Sequence, residues 1–231
     1  MTPPVVILVW WLLFGGTHVL GSSVPVRTFL IGKLGTTGFK GLYSLVSFAT
    51  FVPLVYVFFT NKGAGAMLFI APSPMTLATE ALMIFALIVM VQGLATPHPM
   101  ATAAEMSGEY TDTARGIQRI TRHPVNFGFA LFGIAHMLSN PNVGDWIFYG
   151  GFVVYGFVSA VHQDRRTLVG GPEEVARFQA DTSMVPFAAI LTGKQRLALG
   201  EYSKGALAIA IVLAWVLWYF HGNVFGGYGP A

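Results

Sequence analysis

Six histidines carry the reactive chemistry of this 231-residue chain: His18, His98, His123, His136, His162 and His221. A neutral imidazole can take up a proton, give one away, or offer a lone pair to a metal. The chain has no cysteine, which excludes disulfides, thiolate-zinc sites, thiolate-held iron–sulfur clusters and cysteine nucleophiles. His136 follows the apolar run Phe129-Ala130-Leu131-Phe132-Gly133-Ile134-Ala135. A ring buried in hydrocarbon must hydrogen-bond or bind metal to offset its desolvation. Gly133 lies three residues before it, on the same helix face, and Gly15-Gly16 lies just before His18. Such glycines make room for something flat, such as a porphyrin, and equally suit close packing of two helices.

Spacing limits the pairings. His123 and His136 would stand about 220° and roughly 20 Å apart on one helix, so a single iron cannot take both. A ligand pair must come from different elements, His18 with His136 or His18 with His162. Zinc is not expected, because clustered imidazoles without a close carboxylate triad suit it poorly. His98 and His221 flank apolar segments, where an amphipathic ring is ordinary.

Two polar motifs accompany the histidines. The first is Arg122-His123-Pro124-Val125-Asn126-Phe127-Gly128, in which proline is suited to opening a helix. Arg115, Arg119 and Arg122 share a helical stripe that suits lipid phosphates, and Arg122 could clasp a carboxylate through two bonds. The second is His162-Gln163-Asp164-Arg165-Arg166, where Asp164 could fix a tautomer of His162 or pair with the adjoining arginines. Pro172-Glu173-Glu174 then opens a short amphipathic helix with acids in its first turn, as the helix dipole favours. His123, Arg122 and Asp164 are the candidates for positioning a substrate or cofactor carboxylates, with Asn126 beside them.

The elements that hold these residues must lie in a membrane. Hydrophobic residues make up 54% of the chain and charged residues 10%, under half the usual charge of a soluble domain. Six segments are apolar enough to be read as spans of about 20 residues: 3–22, 40–59, 76–95, 125–139, 144–162 and 204–221. The fourth is short and is expected to start near 116–122 and to bend or restart at Pro124. Stretches 61–74 and 222–230 read as an exterior loop and a tail. Of the 13 basic residues, only Lys62 lies outside the loop that follows span one, with Arg27, Lys33 and Lys40, and the segments that follow spans three and five. Basic segments stay in the cytoplasm. The expectation is therefore an all-α, polytopic bundle forming one domain in a bacterial inner membrane, with both termini periplasmic. Its partners would be the lipid bilayer, a lipophilic small molecule, and a membrane protein meeting the apolar 61–74 loop. No clustered basic patch suits nucleic acid.

Taken together, four stretches resemble the NnrU family of integral membrane proteins: Gly15-Gly16-Thr17-His18; Lys40-Gly41-Leu42-Tyr43-Ser44-Leu45-Val46-Ser47; the run Gly116–Gly128 with Ala135-His136; and His162-Gln163-Asp164-Arg165. The resemblance covers nearly the whole chain. It implies haem b held by histidines, as in the family's plant zeta-carotene isomerase. The matching iron ligands are His18 and His136, and the implied role is redox or cis-trans isomerisation of a lipophilic substrate. The bacterial branch implies instead an accessory, non-enzymatic role in nitrite and nitric oxide reduction. Arg122-His123-Pro124, Asp164-Arg165 and Met184-Val185-Pro186-Phe187 are also similar to the isoprenylcysteine carboxyl methyltransferase group, which binds S-adenosylmethionine. That likeness implies a shared fold rather than a shared reaction.

Overall fold

Long apolar runs favour helix, because in a bilayer each helix satisfies its own backbone. The computed structural model describes residues 1–70, 73–100, 104, 108–169 and 171–225, and these form helices and loops with no strand among them. The helices are α1 (Pro3–Ser22), α2 (Val24–Thr60), α3 (Ser73–Ala95), α4 (Pro124–Ser139), α5 (Val143–Leu168), α6 (Glu173–Asp181), α7 (Ala188–Leu191) and α8 (Lys204–Phe225). Short 3-10 turns occupy Gly116–Arg119 and Leu199–Glu201. Among the described residues five helices are long and apolar enough to cross a membrane: α1, α2, α3 from Thr76, α5 and α8.

Three expectations change. The fourth expected span is α4, whose 16 residues make about 24 Å of helix, short of a hydrocarbon core of about 30 Å. It restarts at Pro124 after the 3-10 turn. The expected loop holding Arg27 and Lys33 is helical from Val24 onward, because Pro25 sits where a helix tolerates proline. Only Gly35 breaks α2, at φ 70° and ψ 171°, a conformation open to glycine and strained for other residues. Finally, α5 continues to Leu168 and α8 to Phe225, so His162 and His221 both lie within helices. The expected amphipathic helix is α6, with Glu173 and Glu174 in its first turn. Of the expected tail, residues 226–230 lie outside the described residues, as do 71 and 72 of the expected loop and Gly170.

The chain divides into two compact units, residues 1–79 with 133–169, and residues 80–132 with 170–231. In the first, α1 and α2 run alongside α5. The Trp11 indole N–H donates to the Phe148 carbonyl at 3.0 Å, and its ring lies directly over Gly151, where a β-carbon would collide with it. Phe58 stacks on Phe148 at 3.8 Å. A helix leaves its first N–H groups unpaired, and the 61–68 loop supplies acceptors for α5. The Val143 and Gly144 amides donate to the carbonyls of Ala66 and Ala64 at 3.0 and 2.8 Å. In return the buried Asp145 carboxylate accepts from the Gly63 amide at 3.2 Å.

In the second unit, glycines set the approach of α3 and α4. A β-carbon on Gly93 would lie 2.8 Å from the Pro124 ring, and one on Gly128 2.8 Å from the Met90 Cβ. Buried Gln92 clips the start of α8, with its amide donating to the Ser203 carbonyl at 2.8 Å and accepting the Ser203 N–H at 3.1 Å. The two 3-10 turns are joined through Glu201, which accepts two Arg119 bonds at 2.8 Å and the Gly116 N–H at 2.9 Å. Arg119, then Gly116, holds the Glu201 carboxyl down from 4.5 to about 2. A depressed carboxylate stabilises fully above its unfolded pKa and less as pH falls through its folded one. The joint should therefore weaken between pH 4.5 and 2. Amide exchange at Gly116 should accelerate over that interval in the wild type, and Glu201→Gln should show fast exchange independent of pH once the intrinsic rate is removed.

Candidate histidine site

His18 lies near the end of α1, among aromatic rings from α1, α2 and α5. Phe14, Tyr43 and Tyr155 have ring centroids 5.4, 4.5 and 5.6 Å from it. Its Nδ1 is hydrogen-bonded to the Ser47 hydroxyl at 3.1 Å, and its carbonyl accepts from the Tyr43 hydroxyl at 3.1 Å. His162, on α5 seven residues and about two turns beyond Tyr155, lies within electrostatic range of His18. The Nε2 atom of His162 is buried and has no hydrogen-bond partner. An orphaned buried nitrogen of this kind is uncommon and calls for an explanation.

His136 occupies a different place. It lies in the last turn of α4, where a basic group suits the helix dipole, rather than deep in a full span. Its ring stacks on Tyr149 at 4.6 Å and 22°. Tyr149 and His162 are 13 residues apart on α5, roughly 20 Å along its axis. The structure thus places His162 within electrostatic range of His18 and sets His136 near the other end of α5. The space beside Gly133 is taken by α5: a β-carbon there would strike the Tyr149 carbonyl and stand 2.9 Å from Val153 Cγ2. Of the two uses of a glycine beside His136, close helix packing is the one present.

Asp164 follows His162 by two residues, and residues so spaced point to different sides of a helix. It does not bond the orphaned Nε2. Arg122, in the second unit, donates to the Thr182 and Gln179 carbonyls at 2.9 and 3.3 Å, capping the end of α6. Its own carbonyl accepts from His98 Nε2 at 2.5 Å, and His98 Nδ1 accepts the Met100 N–H at 3.1 Å. A carbonyl can only accept, so His98 carries its proton on Nε2 and both nitrogens are used structurally. His123 is buried, its amide donating to the Thr121 hydroxyl at 3.2 Å, and Asn126 is half-buried in the first turn of α4. Tyr43, Ser47 and Tyr155 were not expected as site residues. Tyr43 and Ser47 are four apart, the spacing that puts two residues on one helix face.

The NnrU protein family matches residues 6–228. The chain is 37% identical over 82 residues to the chloroplastic 15-cis-zeta-carotene isomerase of Zea mays, covering 36% of this chain and 22% of that protein. It is 34% identical over 89 residues to the same enzyme of Arabidopsis thaliana, covering 38% of this chain and 24% of that one. The matched stretches thus span about a quarter of the length of these curated relatives. No solved structure matches the chain.

Proposed function

Because this chain belongs to the NnrU family, we propose that it is a multi-pass membrane protein with isomerase-like action on a lipophilic, conjugated substrate, in which His18 and His162 would hold haem b. The observation that carries this reading is the buried, unpartnered Nε2 of His162 within electrostatic range of His18. The similarity to plant isomerases supports the reaction class.

The donor set fits the cofactor. Among the described residues no three His, Asp or Glu side chains gather as a metal cage, and a bare ion wants about four donors. A porphyrin brings its own equatorial nitrogens and asks the protein for axial ligands such as imidazole. Haem, when bound, supplies a one-electron redox centre able to act on an extended conjugated system. His18 is held in place by Ser47 and Tyr43. The rings of Phe14, Tyr43 and Tyr155, tilted against one another, surround His18 with aromatic surface suited to a conjugated hydrocarbon. Leu12, Leu45 and Phe48 on α1 and α2 are each 66% exposed, so this unit presents an apolar face to the lipid from which such a substrate comes.

Detergent-purified protein expressed with ample haem should show a Soret band. The band is expected to vanish in His18→Ala and in His162→Ala, and to persist in His136→Ala and His221→Ala. A wild-type protein without a Soret band would overturn the haem reading. A band that survives His162→Ala would overturn the ligand assignment.

A further inference from the structure

His162 Nε2 lacks a partner, but His18 Nδ1 has one in Ser47. The rest of the network decides which of those two atoms donates. Ser47 lies on α2, and its hydroxyl reaches back to the Tyr43 carbonyl at 2.8 Å, the local bond that serine makes inside a helix. A hydroxyl has one proton and two lone pairs. A carbonyl cannot donate, so the Ser47 proton is committed to Tyr43 and only lone pairs remain for His18. Nδ1 must then carry the imidazole proton, and Nε2 keeps the electron pair. The backbone is fixed from the same helix face: the Tyr43 hydroxyl donates to the His18 carbonyl at 3.1 Å. Residues 43 and 47, one turn apart on α2, hold His18 by its main chain and by its ring.

We propose that Ser47 is a positioning residue of the histidine site: it fixes His18 as the Nδ1–H tautomer and so leaves Nε2 as the donor of an electron pair. In water the neutral ring prefers the opposite tautomer, so the protein selects the less common form. Metal-ligating histidines commonly donate their second N–H to a neighbour, and losing that neighbour weakens metal binding roughly 10–100-fold. The proposal rests on the haem reading only for what Nε2 donates to. The tautomer is a property of the haem-free chain.

The test reads the tautomer first. In the full-length, haem-free protein labelled with 15N-histidine, nitrogen chemical shifts should show His18 protonated at Nδ1. Ser47→Ala should move it to Nε2–H or to a mixture, and Ser47→Thr, which keeps the hydroxyl, should restore the wild-type spectrum. Titrating haem into the same three proteins should give binding roughly 10–100-fold weaker for Ser47→Ala and within a few-fold of wild type for Ser47→Thr. An Nε2–H tautomer in the wild type would overturn the proposal, as would an unchanged tautomer in Ser47→Ala. A shifted tautomer with unchanged haem affinity would overturn the positioning role. A wild-type protein that binds no haem would remove the haem reading while leaving the tautomer assignment standing on its own spectrum.

Discussion

Gly133→Ala should be the most damaging single methyl in the first unit. The added carbon meets the Tyr149 carbonyl, with Val153 Cγ2 at 2.9 Å and Phe152 Cβ at 3.3 Å. A side chain can swing aside, but a carbonyl inside a helix cannot move without carrying its helix. α4 and α5 must therefore separate at that point, and the His136–Tyr149 stack three residues on is strained with them. Overpacking commonly destabilises by about 1–3 kcal/mol and occasionally more; the backbone obstacle places this variant at about 3 kcal/mol. For a chain of this size that is roughly 6–12 °C in Tm, measurable in detergent by thermal unfolding. A loss under 2 °C would show that α5 yields more readily than its packing implies.

The second large effect is expected at Gly151, whose obstacle is a side chain. An alanine methyl there would fall within the Trp11 indole. The indole must leave, giving up its bond to the Phe148 carbonyl and its contacts with Phe14, Phe152 and Tyr155. A destabilisation of about 2–3 kcal/mol follows, with a change in tryptophan fluorescence. The two glycines should differ in rescue. Trp11→Leu in the Gly151→Ala background makes room and should recover part of the loss, whereas it should recover none in Gly133→Ala. Non-additivity is the expected signature of residues in contact. Equal behaviour in both backgrounds would mean that Trp11 is not what fills the space over Gly151. Because Tyr155 touches both Trp11 and His18, Gly151→Ala should also perturb the histidine site.

These effects bear on what the sequence could reveal. The apolar runs marked α1, α3 and α8 because length and hydropathy are local properties. At the start of α2 the charges of Arg27 and Lys33 suggest a loop, yet nothing before Gly35 prevents a helix from forming around them. At the site, the residue types were legible and the pairing was not. His18 could be offered His136 or His162, and the choice depends on the packing of α1 against α5. Gly133 beside His136 looked the same whether a cofactor or a backbone filled the space. Arg122 looked suited to a carboxylate because the carbonyls it caps, at the end of α6, lie some 60 residues away. Ser47 carried the least signal, since a serine four residues after a tyrosine is unremarkable until a histidine is found against it.

The first unit is assembled from two stretches of chain, 1–79 and 133–169, with Glu80–Phe132 made between them. Synthesis runs at about 5–20 residues per second, so α1 and α2 wait several seconds before α5 exists. During that interval Trp11 has no Gly151 to rest on, the Ala64 and Ala66 carbonyls have no α5 amides to accept, and His18 has no His162. The nascent α1–α2 hairpin already contains the Ser47–His18–Tyr43 grip, all of it encoded before residue 48. One imidazole of the pair is thus oriented early in biogenesis, and the other arrives only when α5 enters the bilayer.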